Sequence, residues 1–76
     1  MEKLMAKLWM EELSLSEPPK SEDSFFDLGG NSLTAKYICE DMKEEVGFLI
    51  GIADFYRSDQ FADIVAAARN KQEEMT

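Results

Sequence analysis

The chain has 76 residues, 16 acidic and 8 basic, with one cysteine and no histidine, and a net charge of −8. That length makes residues 1–76 a single domain with a core worth ~3–5 kcal/mol net, and 45% hydrophobic with 11% aromatic content is enough to fold it. Such acidity repels nucleic acid and anionic membranes and suits a basic partner surface, although it is also a plain route to solubility.

Residues 2–13 carry Leu4, Met5, Leu8 and Trp9 on one amphipathic stripe that Leu13 continues, which predicts a first helix. Ser14, Ser16, Pro18, Pro19 and Ser21 mark a linker, because consecutive prolines end any helix. A loop this long in so small a domain counts against the assignment unless it is functional. Gly29 and Gly30 can take positive φ and turn the backbone sharply. Asn31 or Ser32 then suits a helix N-cap, ahead of a run from Leu33 to Val46 free of proline and glycine.

Along that second helix Ala35, Ile38, Cys39, Met42 and Val46 form one core-facing stripe. Leu33 and Tyr37 fall on the opposite side with Glu40 and Glu44, large apolar groups on a solvent face beside Ser32. That suggests a docking surface for a partner protein, although scattered exposed apolar residues are also normal.

Phe48, Ile50 and Ile52 alternate as in a strand, but one unpaired strand is not stable. The stretch 47–51 therefore reads as an ordered loop whose apolar residues plug the bundle, leading into a short third helix over 52–56. A last helix starts near Ser58 or Asp59, either of which can cap it, and buries Phe61, Ile64, Val65 and Ala68. Residues 72–76 form a frayed tail. The expected fold is all-α, a four-helix bundle with a short third helix and a long first loop.

Ser32 is the residue with chemistry in it. A phosphate esterified to its hydroxyl would be favoured by the partial positive charge of a helix N-terminus. As a nucleophile in its own right it lacks an activating base, because there is no histidine and an exposed Lys36 is a poor substitute. Cys39 as the sole cysteine supplies too few soft ligands for zinc, reads as a small buried hydrophobe, and suits a reducing cytoplasm. The run 46–53 is too short to span a bilayer, which takes ~20 residues, and Met1-Glu2-Lys3 does not open a secretory leader.

The segment Asp23 to Leu33 resembles the prosthetic-group attachment site of peptidyl carrier proteins, the thiolation domains of nonribosomal peptide synthetases. Phe25, Phe26, Leu28, Gly29, Gly30, Ser32 and Leu33 match its pattern of an aspartate, paired aromatics, Leu-Gly-Gly, a variable residue and Ser-Leu. The similarity runs along nearly the whole chain, through Leu8-Trp9, Glu44-Glu45-Val46-Gly47 and Asp54-Phe55-Tyr56. Ser58-Asp59-Gln60 stands where the family commonly has His-Pro-Thr, which leaves that turn less secure.

The resemblance implies a carrier that is not itself an enzyme. A phosphopantetheinyl transferase would move 4′-phosphopantetheine from coenzyme A onto Ser32, and the arm's thiol would hold an aminoacyl or peptidyl group as a thioester. Adenylation, condensation, tailoring or thioesterase enzymes would be its partners. They would dock on the second helix, for which Leu33, Lys36, Tyr37 and Glu40 are the candidates. The expected protein is a cytoplasmic monomer without metal, and an initial methionine running almost directly into the first helix suggests a stand-alone carrier. Two other readings stay open. An acyl carrier of fatty-acid or polyketide synthesis shares fold and cofactor but more usually has Asp before the serine, where this chain has Asn31. A plain acidic helical interaction module would use Ser32 only as a cap.

Overall fold

A computed structural model describes residues 1–47 and 50–74. They form four helices, α1 (Glu2–Leu13), α2 (Ser32–Val46), α3 (Ile52–Arg57) and α4 (Phe61–Glu74), and among them the only strand-like pairing is an isolated antiparallel bridge between Ser24 and Gln60. The architecture is the all-α four-helix bundle, with a short third helix, expected from the periodicity. Met5, Leu8 and Trp9 of α1 meet Ala35, Ile38, Cys39 and Met42 of α2, and Phe55, Phe61, Ile64, Val65 and Ala68 complete the core. Leu4, Leu13 and Val46 pack half-buried at its edge.

Ile50 is buried and does plug the bundle, whereas Phe48, to which the same role was assigned, lies outside the described residues. Helix α4 continues to Glu74, and the last two residues of the expected tail, 75–76, lie outside the described residues.

An aromatic cluster holds the centre. The Trp9 ring meets Phe25 at 5.1 Å and Phe61 at 5.0 Å, both edge-to-face, and Phe25 meets Phe55 at 4.8 Å. Each such pair adds about 0.5–1.5 kcal/mol beyond its area burial. The gain offsets a buried Trp9 indole N–H that has no hydrogen-bond partner among the described residues.

The long first loop is fastened where the sequence looked least secure. The Phe25 N–H donates to the Asp59 carbonyl at 2.8 Å, the Phe61 N–H to the Asp23 carbonyl at 2.9 Å, and the Ala62 N–H to the Ser21 carbonyl at 2.9 Å. The Ser24 hydroxyl also donates to the Asp59 carboxylate. Asp59 is therefore a clasp between the loop and the start of α4 and not a helix cap. Ser58 donates its hydroxyl to Asp63 at 2.5 Å, and of the first four N–H groups of α4 those on Phe61 and Ala62 are taken by the Asp23 and Ser21 carbonyls, while those on Asp63 and Ile64 find the Gln60 carbonyl at 3.0 Å. Both residues expected to cap α4 are thus used otherwise, because backbone carbonyls of the first loop and of Gln60 already take the leading N–H groups of the helix.

Candidate functional site

The clasp delivers the chain to the mouth of α2. Phe25 is fully buried, and its carbonyl accepts the Gly30 N–H at 2.9 Å, closing a tight loop in front of the helix. Of Gly29 and Gly30, Gly29 alone takes positive φ, at 101°. Gly30 is required for a different reason: a Cβ there would lie 2.4 Å from a Phe25 ring carbon and 2.7 Å from the Phe25 carbonyl oxygen. Its backbone passes directly over the buried ring.

Asn31 is the N-cap of α2. Its side-chain oxygen accepts the Thr34 N–H at 3.0 Å, and the Thr34 hydroxyl oxygen accepts the Asn31 N–H at 2.8 Å, a reciprocal capping box. Ser32 is consequently the first residue of the helix. This corrects the reading in which Ser32 is only a cap, since a neighbour already satisfies the donor that a capping serine would take. The Ser32 side chain is exposed and shares a hydrogen bond with the Tyr56 hydroxyl.

The electrostatics suit an anion. Acids outnumber bases in the chain, yet the first turn of α2 has none, and the helix N-terminus adds its partial positive charge. A phosphodiester on Ser32 would meet helix dipole and hydroxyl donors and no carboxylate of that turn. The residues present therefore fit such a group.

Around Ser32 the large apolar side chains exposed among the described residues are Leu33 at 55%, Tyr37 at 43% and Tyr56 at 61%. Leu33 and Tyr37 are one turn apart on the outer side of α2, and Lys36 and Glu40 are exposed beside them. The structure thus brings these four residues together on one accessible side next to Ser32. Cys39 lies on the opposite, inner side, where burial, reinforced by the Asp54 carboxylate, pushes its thiol up to about 11. Among the described residues no group of three or more His, Cys, Asp or Glu side chains is placed to hold a metal ion. Nor is any helix there long and apolar enough to cross a membrane.

Tyr56 was not foreseen as part of the site. Ile52, Phe55 and Tyr56 follow the i, i+3, i+4 spacing of a buried stripe, so periodicity puts Tyr56 in the core. It lies outside instead, with its ring on Phe26 at 5.3 Å, the planes 31° apart.

A small helical bundle that presents an exposed serine hydroxyl, not used as a cap, at the mouth of its second helix defines a carrier-type domain. Comparison with known proteins agrees: residues 3–68 match the family described as the phosphopantetheine attachment site, and the chain belongs to it. That family carries 4′-phosphopantetheine as a covalently attached prosthetic group and is in general non-catalytic. Similar segments occur in the nonribosomal peptide synthetase dtxS1 of Metarhizium robertsii, 37% identical over 75 residues and 97% of this chain. Pyochelin synthetase PchE of Pseudomonas aeruginosa is 39% identical over 64 residues, 83% of this chain, and the synthetase imqB of Aspergillus flavus 35% identical over 66 residues, 86% of this chain. The chain covers only 1%, 4% and 2% of these three proteins, respectively.

Proposed function

We propose that Ser32 carries the 4′-phosphopantetheine arm and that the protein is a peptidyl carrier of nonribosomal peptide synthesis. The observation that supports this most directly is the exposed Ser32 hydroxyl, which the helix cap leaves free for modification. In loading, the Ser32 Oγ attacks the pantetheine-bearing phosphorus of coenzyme A. The Oγ–P bond forms as the bridging P–O bond breaks, and adenosine 3′,5′-bisphosphate departs with the bridging oxygen. The hydroxyl proton passes to a base on the phosphopantetheinyl transferase, since no histidine is available here. Once attached, the arm supplies a thiol that holds aminoacyl or peptidyl groups as thioesters. The chain's own residues contribute a fixed anchoring oxygen, a positive helix end and an accessible face.

Leu33, Lys36, Tyr37 and Glu40 form the docking side for the transferase and for adenylation, condensation, tailoring or thioesterase partners. Their exposure beside Ser32 supports that role, because each partner must reach the arm's root. Asn31 before the serine, and relatives that are nonribosomal peptide synthetases, favour peptidyl over acyl cargo. The buried, unpaired Cys39 suits a reducing cytoplasm, and the working form is a monomer.

The test is incubation with coenzyme A, Mg²⁺ and a promiscuous phosphopantetheinyl transferase, followed by intact mass. The wild type gains the mass of one arm and Ser32→Ala gains none. Equal gain in both, or no gain in the wild type, refutes Ser32 as the anchor. Loading of the holo form by adenylation enzymes and not by malonyl transferases identifies the peptidyl type.

A further inference from the structure

The hydrogen bond between Ser32 and Tyr56 joins α2 to α3 across 24 residues of sequence. Tyr56 is 61% exposed, so burial does not hold it in place. Its orientation comes from two contacts: the ring lies on Phe26, and the hydroxyl reaches Ser32. Phe26 is itself steadied edge-to-face by the fully buried Phe25 at 5.6 Å. A core residue, a half-buried ring and an exposed phenol thus form a chain that ends on the oxygen to be modified.

In the unmodified protein either hydroxyl of the pair can be the donor. Esterification removes the Ser32 proton, leaving the phenol as the only donor of the two, and it introduces non-bridging phosphate oxygens that carry negative charge. Hydrogen bonds to ionised acceptors are roughly twice as strong as those between neutral groups. The phenol's best available acceptor is then the phosphate.

We propose that Tyr56 is a positioning residue for the prosthetic arm, donating its phenol O–H to a non-bridging oxygen of the phosphodiester on Ser32 and so tying the arm's root to α3. This rests on Ser32 being the attachment site. At six residues, α3 is far below the length at which an isolated helix is stable, so a new contact at Tyr56 is felt along the whole element. Loading therefore changes the environment of α3 as well as that of the helix bearing the serine.

The experiment compares backbone amide and ³¹P spectra of apo and holo protein for the wild type and Tyr56→Phe, each driven to full loading and checked by intact mass. Phenylalanine keeps the ring on Phe26 and removes only the donor. Loading the wild type is expected to shift amides at both 31–36 and 52–57. In Tyr56→Phe the 52–57 shifts are lost while those at 31–36 persist, and the ³¹P resonance moves from its wild-type position. A merely structural role would instead disturb the apo spectrum, which should match the wild type outside the immediate neighbourhood of the ring. The wild type alone also decides: loading shifts confined to 31–36 overturn the proposal whatever the variant does, as do identical ³¹P positions in the two proteins. No mass gain in the wild type overturns the attachment reading, and this proposal with it. A loaded wild type with an indifferent α3 overturns the role of Tyr56 alone.

Discussion

Gly30→Ala tests whether the approach to Ser32 is held by steric contact or by backbone freedom. The added Cβ would sit 2.4 and 2.5 Å from two Phe25 ring carbons and 2.7 Å from the Phe25 carbonyl oxygen, about 1 Å inside ordinary van der Waals contact. The ring cannot step aside, because Trp9, Phe26 and Phe55 pack on it. The backbone must move instead, which breaks the Gly30 N–H bond to the Phe25 carbonyl. Overpacking costs about 1–3 kcal/mol and the lost hydrogen bond about 0.5–1.5, so a loss of roughly 2–4 kcal/mol is expected against a total of only ~3–5 for a domain this small. In a thermal melt that is a drop of roughly 10–30 °C. Gly29→Ala is the control: its Cβ meets nothing within 4 Å, and the substitution is penalised only by the positive φ of 101°, about 1–2 kcal/mol. Urea unfolding followed by the fluorescence of the buried Trp9 measures both. Gly30→Ala within about 0.5 kcal/mol of wild type, or less damaging than Gly29→Ala, would refute the close-approach argument.

Other substitutions divide the roles at the mouth of α2 and in the bundle behind it. Asn31→Ala removes the capping acceptor and should cost about 0.5–2 kcal/mol, whereas Ser32→Ala should stay within about 0.5 kcal/mol while abolishing arm attachment, as read by denaturation and intact mass. Ile38→Ala on the inner side of α2 should cost about 2–5 kcal/mol, and Tyr37→Ala on the outer side about 0.5 or less by the same assay. Glu12 is held above its ordinary value of 4.5, chiefly by partial burial and then by Asp41 on α2. A raised folded value contributes stability below 4.5 that is lost as pH rises through the folded value. Glu12→Gln should therefore stabilise near neutral pH, by roughly 0.2–1 kcal/mol for a screened surface pair, and flatten the decline above pH 4.5 in a pH series of melts. Cys39, with its thiol pushed up to about 11, exposes a thiolate fraction of only about one part in a thousand at pH 8. Native apo protein should resist alkylation, and native holo protein should take label on the arm alone, with Cys39 reacting once denaturant is added.

The helices and most of the core were legible because they depend on periodicity. Ala35, Ile38, Cys39 and Met42 are an inner stripe in the sequence and are buried in the structure, and Leu33 and Tyr37 oppose them in both. Asn31 and Ser32 were each allowed as a cap, and only geometry assigns the task to Asn31. The contacts that fasten the loop have no local signature at all: Ser24 and Asp59 are 35 residues apart, so Asp59 was read from its neighbours as a cap. Gly30 was read for its freedom at positive φ, when what requires it is the ring of Phe25 passing beneath. Tyr56 was missed since the spacing that buries Phe55 also counts Tyr56, and a six-residue helix is too short for periodicity to separate an inner from an outer side.

The arrangement explains how so small a core can support a modification site. On α2 the inner stripe supplies packing, Asn31 and Thr34 satisfy the helix end, and the outer side faces solvent, so no buried contact and no capping bond depends on the Ser32 hydroxyl. Had Ser32 been the cap, esterifying it would have disturbed a bond worth about 1 kcal/mol at the start of the helix that organises the core. The reciprocal pair of Asn31 and Thr34, which takes over that role, removes the conflict. What fixes Ser32 in space is then the chain before it, through Phe25 in the aromatic cluster and the clasp at Asp59. Both lie at a distance from the hydroxyl itself, so attaching an arm there leaves the contacts that position it untouched.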